Sequence, residues 1–132
     1  MLTTMFDKNY QILVVDDIPD NVFLLQMLLE AEGYVVETAL DGSTALQKVK
    51  ERQPHLILLD VMMPDLSGFE VARRIREDKT VSRIPIVLIT AHDEASLSEG
   101  LEAGANEFIR KPVECDTLLA RVKAYCSEAI AS

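Results

Sequence analysis

"ILVVDD", residues 12–17, runs an apolar stretch straight into two adjacent carboxylates. Ile12 to Val15 show no polar alternation, the pattern of a short strand covered on both faces. "HLILLD" (55–60) repeats the form, apolar from Leu56 until it ends in Asp60, and "PIVLIT" (85–90) repeats it again and ends in Thr90. Strands buried on both faces belong to parallel sheets, because crossover connections place helices over them.

The segments between supply those crossovers. After the first strand (11–15), residues 18–33 carry Val22, Leu25, Leu28 and Leu29 near helical spacing and stop at Gly33. A second strand is predicted at 34–38, followed by a helix at 41–52 that Asp41 caps. The third strand (55–60) leads to a helix at 67–78, opened by a Ser67/Glu70 capping box and closed by arginines that complement its dipole. The fourth strand (85–90) precedes a helix at 93–104 weakened by Gly100, which costs about 1 kcal/mol relative to Ala. A fifth strand spans 106–112, where Pro112 ends it, and a fifth helix spans 116–130. Strand and helix alternate five times, which predicts an α/β, flavodoxin-like doubly wound five-stranded parallel sheet of order 2-1-3-4-5, with five helices on both faces. Residues 1–10 read as a leader and 11–130 as a single domain with no output domain after it.

The totals narrow the function. At 132 residues the chain is one domain long and needs no metal or disulfide merely to fold. The 22 acidic against 13 basic residues leave a net charge of −9, which argues against direct contact with nucleic acid or an anionic membrane. No apolar run approaches the roughly 18 residues a membrane helix needs, and the N-terminus lacks a signal-peptide pattern. Cys115 and Cys126, on one helix, would stand about 16 Å apart, too far for a disulfide. Reduced thiols and a cytoplasmic location are the simplest reading.

In a doubly wound sheet every strand C-terminus points the same way, and sites form in the crevice beyond them. Asp16 and Asp17 follow the first strand, Asp60 ends the third, Thr90 the fourth, and Lys111 the fifth. Taken singly, each has a plain structural explanation as a cap, a turn residue or a solvated lysine. Taken together, three carboxylates would repel one another unless a cation sat among them, and hard oxygen ligands favour Mg²⁺ or Ca²⁺. A carboxylate not sequestered by the metal can act as a nucleophile on phosphorus, while the cation, Lys111 and Thr90 offset charge on the transferred group. The constellation reads as phosphoryl transfer to an aspartate.

At these positions the sequence resembles the receiver domains of two-component response regulators. The resemblance rests on "VVDD" (14–17), "LILLDVMMPDLSG" (56–68), "IVLITA" (86–91) and "GANEFIRKP" (104–112), and covers residues 11 to 126. It implies that Asp60 accepts a phosphoryl group from a histidine kinase or histidine phosphotransfer protein. It further implies Mg²⁺ as cofactor, held by Asp16, Asp17, Asp60 and the backbone carbonyl of Met62. Lys111 would pair with Asp60 and then with its phosphate, Thr90 would be the switch hydroxyl, and Phe108 the aromatic that follows it. The family also implies a cis peptide bond between Lys111 and Pro112. The side chains of Met62 and His92 would tune phosphate lifetime.

Such a domain is no enzyme in the ordinary sense and acts only on its own phosphorylation state. Its phosphodonor would dock on the first helix, after Ile18 and Pro19, and on the loop at Pro112 and Val113. A downstream protein would read the face built by the fourth helix, fifth strand and fifth helix, with helix 4, softened by Gly100, as the moving part. That face also suggests a homodimer, with Glu107 and Arg121 as a cross-subunit pair. The alternative is a protein-binding module of the same fold that signals without phosphate. A metal-dependent phosphohydrolase would need a lid that the loops are too short to build, and a flavin carrier would need a Ser/Thr/Gly-rich phosphate loop where this chain has two acids.

Overall fold

The computed structural model describes residues 10–91 and 94–131. Its elements are β1 (Gln11–Val15), α1 (Pro19–Ala31), β2 (Val35–Ala39), α2 (Gly42–Arg52), β3 (Leu56–Asp60), α3 (Gly68–Glu77), β4 (Ile86–Thr90), α4 (Glu94–Ala103), β5 (Glu107–Arg110) and α5 (Cys115–Ala131). The strands pair in parallel in the order β2-β1-β3-β4-β5, the flavodoxin-like order the sequence predicts. Side chains alternate across the sheet, so each central strand feeds two cores. Leu13, Val15, Ile57, Leu59 and Leu88 pack with Val49, Phe69 and Ile75 of α2 and α3. Ile12, Val14, Leu58, Val87 and Ile89 pack on the other face with Val22 and Leu29 of α1 and Leu118 and Val122 of α5.

Several boundaries move. The predicted leader 1–10 loses its last residue to the core: Tyr10 is buried, lies edge-on to Tyr34 and stacks on His55. His55 is exposed but not merely solvated, because its Nδ1 accepts from the Gln11 N–H at 2.9 Å and ties the entry of β1 to that of β3. β2 begins at Val35 rather than at residue 34, since the Tyr34 N–H is taken by the Leu29 carbonyl at the end of α1. β5 stops at Arg110 rather than reaching 112, although the Lys111 N–H still donates to the Thr90 carbonyl at 2.9 Å.

Asp41 caps α2 as expected, accepting from the Thr44 N–H at 2.7 Å. A second carboxylate, which the sequence did not disclose, joins it from the loop after β3. Asp65 accepts from the Gly42 N–H, the Ser43 N–H and the Ser43 hydroxyl, at 3.0, 3.0 and 2.9 Å. These backbone hydrogen bonds hold the Asp65 carboxyl well below the usual carboxylate range. A depressed value contributes stability that is present above the ordinary value of 3.8 and is lost as pH falls through the folded value below it. Asp65→Asn is therefore expected to lower the urea midpoint most at neutral pH. The gap to wild type should narrow steadily below pH 3.8; a gap independent of pH would show that the charge contributes nothing.

Candidate functional site

The strand order does the assembling. β1 and β3 are neighbours with Val15 level with Leu59, so Asp16 and Asp60 emerge at the same height. β4 flanks β3 and brings Thr90 alongside, and β5 flanks β4 and delivers Lys111 one residue past its end. Asp16, Asp60 and Thr90 are the buried polar residues of the described core. Asp17 is half-buried, and oxygens of Asp16, Asp17 and Asp60 lie within 4.8 Å of one another.

Two details of the chain allow this crowding. α3 starts tight against the end of β3: a Cβ on Gly68 would lie 2.4 Å from the Asp60 carbonyl oxygen, and the Gly68 N–H donates to the Val61 carbonyl at 2.8 Å. α1 begins at Pro19 with no side-chain cap on Ile18, and Asp16 takes that place by accepting from the Ile18 N–H at 3.0 Å. Asn21 donates to the other Asp16 oxygen at 3.2 Å. Sequence reasoning missed Asn21, because an asparagine in the first turn of a helix gives no sign of which neighbour it will reach.

Lys111 Nζ sits 3.2 Å from Asp60 Oδ1 and 3.2 Å from Asp16 Oδ2. Burial pushes the Asp60 carboxyl above the usual range and the charge of Asp16 adds to it, with Lys111 acting in the opposite sense. Burial works against the Lys111 ammonium, yet Asp60 and Asp16 outweigh it and raise its value above that of an ordinary lysine. Three carboxylates and this ammonium leave two negative charges, the deficit one divalent cation would balance. An all-oxygen donor set of this kind suits a hard cation. Next to the acids opens a cleft of about 260 Å³, lined by Asp16, Asn21, Leu24, Lys111, Pro112 and Val113 among others.

Of the remaining predicted residues, Met62 exposes its side chain and Phe108 is half-buried against the β3–β4 core. The Lys111–Pro112 peptide bond is cis. His92 lies outside the described residues. Glu107 and Arg121, expected as a pair between subunits, already meet within one chain at 3.3 Å, and the Tyr125 hydroxyl donates to Glu107 at 2.7 Å. β5 is an edge strand and α5 packs beside it, which brings Arg121 within reach of Glu107 in the same chain.

A parallel sheet of this order with an acid cluster, a lysine and a buried threonine at its C-terminal edge is the arrangement of a receiver-type signalling domain. Residues 12–123 match the response regulator receiver domain family, and the chain belongs to it. It is 50% identical over 115 residues to the response regulator PleD of Caulobacter vibrioides, covering 86% of this chain and 25% of that protein. It is 47% identical over 117 residues to the alkaline phosphatase synthesis transcriptional regulatory protein PhoP of Bacillus subtilis, covering 88% of this chain and 48% of that one. The chain thus spans between a quarter and a half of these relatives. Among solved structures, the Vibrio cholerae chemotaxis protein CheY4 superposes with a TM-score of 0.83 at 32% identity, over 87% of this chain and 97% of that one. The BeF3-activated DrrB receiver domain gives 0.80 at 35% identity, over 89% and 97%. Response regulators are components of two-component signalling, and receiver domains serve there as switches. No helix among the described residues is long and apolar enough to cross a membrane.

Proposed function

We propose that this receiver accepts a phosphoryl group on Asp60 from a phosphohistidine of a kinase or phosphotransfer protein, and that the modified site changes which protein the domain binds. The observation that carries the reading is the buried Asp60 carboxylate, held 3.2 Å from Lys111 inside the three-acid cluster. An Asp60 oxygen attacks phosphorus, the O–P bond forms, the N–P bond breaks, and the imidazole nitrogen keeps the electron pair. Lys111 neutralises Asp60 before transfer and an equatorial phosphoryl oxygen after it. Thr90, at the end of the neighbouring strand, offers the phosphate a hydroxyl, and Phe108 two residues earlier on β5 than Arg110 follows its movement. Asp16, Asp17, Asp60 and the Met62 carbonyl would hold Mg²⁺. Bound there, Mg²⁺ supplies positive charge that offsets the charge developing on the transferred group. Asn21 and Lys111 orient Asp16, and the cleft beside Leu24 and Val113 gives the donor a way in. Met62 and His92, two residues past Asp60 and Thr90 respectively, are assigned to phosphate lifetime.

Phosphorylation adds about −1.5 to −2 of charge at a site already rich in acids, enough to bias two packings of α4, β5 and α5. A downstream protein, or a second copy of the chain, would read that face; pairing Glu107 with a partner's arginine would require its intrachain contacts to Arg121 and Tyr125 to open. A cytoplasmic location goes with partners of this kind.

The reading is tested by incubating the protein with acetyl phosphate and Mg²⁺ and measuring intact mass. A gain of one phosphoryl unit that chelation prevents is expected; no gain from a folded protein would favour a binding module that works without phosphate. The metal is tested apart from transfer. At a hundredfold excess over its dissociation constant, Mg²⁺ should stabilise the fold by about 2.7 kcal/mol in thermal melts. Asp17→Asn should lose most of that gain, whereas an equal gain in the variant would remove Asp17 from the metal site.

A further inference from the structure

We infer that Gly100 is a positioning residue: the missing side chain leaves a notch in α4 that receives the Phe108 ring, so ring position and α4 placement are set together. The link to phosphorylation rests on the reading above; the packing does not. A Cβ built on Gly100 would lie 2.3 Å from Phe108 Cε2, 2.5 Å from Phe108 Cζ and 2.8 Å from Leu88 Cδ1. Leu88 and Phe108 are register partners on β4 and β5, so the ring lies across the last two strands and under the helix. Glycine is a poor residue inside a helix, and its presence at this buried position is accounted for by that contact.

The C-terminal end of α4 is anchored by α3. At its C-terminal end, Arg76 donates to the carbonyls of Gly104, Ser82 and Ile84 and to the Asn106 side chain, at 2.8, 3.0, 2.7 and 2.9 Å. Asn106 in turn accepts from the Ile86 N–H at 2.8 Å, which ties this end to the start of β4. β4 ends at Thr90 and α4 begins at Glu94. With its C-terminal end anchored and a ring lodged midway, a move of the ring becomes a tilt of α4. The ring has a second place to go: a groove of about 320 Å³ opens beside it, bordered by Phe108, Arg110, Lys111 and Arg121.

The test is a double-mutant cycle on the metal-free protein, with Gly100→Ala, Phe108→Ala and both together, read as urea midpoints. At an unhindered helical position Gly→Ala raises the midpoint. Here Gly100→Ala is expected to lower it or leave it unchanged when Phe108 is present, and to raise it in the Phe108→Ala background. An equal rise in both backgrounds overturns the inference. Wild type and Gly100→Ala are then compared for Mg²⁺-dependent uptake from acetyl phosphate, with a change of about fivefold or more expected. Coupling in the cycle with wild-type uptake would make the notch packing alone and overturn its positioning role. If wild type itself takes up nothing, the phosphoacceptor reading fails while the cycle still decides the notch.

Discussion

Asp60→Asn is expected to abolish phosphoryl uptake from acetyl phosphate while leaving the fold intact. The amide is isosteric with the carboxylate but is not a nucleophile, and no other described carboxylate combines burial with direct pairing to Lys111 except Asp16, whose oxygens are already occupied by the Ile18 N–H and Asn21. The same substitution should stabilise the metal-free protein near neutral pH, because it removes a carboxylate that burial and Asp16 both disfavour. The folded value of Asp60 lies above its ordinary 3.8, so over that window the folded chain holds more protons than the unfolded one, and stability falls as pH rises. Asp60→Asn should flatten that slope. Intact mass and urea midpoints from pH 4 to pH 7 check both halves; residual uptake in the variant would move the acceptor to another residue.

Lys111→Ala is expected to cost about 3 kcal/mol in the absence of metal, the lower end of the range for breaking a buried ion pair, since Lys111 keeps roughly a quarter of its side chain exposed. The loss comes less from the two 3.2 Å contacts than from what remains, Asp16 and Asp60 buried together without a counter-charge. The double variant Lys111→Ala/Asp60→Asn should therefore be more stable than Lys111→Ala alone, and Mg²⁺ should recover part of the loss. The contribution of Lys111 also has a direction in pH: it is complete below the ordinary lysine value of 10.5 and disappears as pH rises through the raised folded value. Urea titrations of wild type, the two single variants and the double variant measure the coupling; additive costs would mean that the lysine and the aspartate do not share one charge balance.

The strands and their order were legible because burial on both faces leaves a sequence little choice. Ile12 to Val15, Leu56 to Leu59 and Ile86 to Ile89 are apolar without interruption, and each is buried along its whole length. The ends were less legible. Tyr10 looks like leader because nothing local announces that Tyr34 and His55 will close around it. β5 looks longer than it is because the sequence carries no break signal between Glu107 and Pro112. Glu107 and Arg121 were recognised as a pair, but sequence cannot tell whether an acid on an edge strand meets its own helix or that of another molecule.

For the site, the residue types at the strand ends were determined by the sequence alone: three acids, a hydroxyl and an ammonium, each at a fixed distance from an apolar run. Parallel topology brings such ends to one edge, so their convergence could be read before any coordinates. The contacts between segments far apart in the chain emerge only from packing. Asp65 caps a helix 22 and 23 residues earlier, Arg76 clasps a turn 28 residues later, and Gly100 is small because of a ring on a neighbouring strand. Such contacts depend on the reach and angle of side chains across packed elements, and hydrophobic period and capping rules describe only one element at a time.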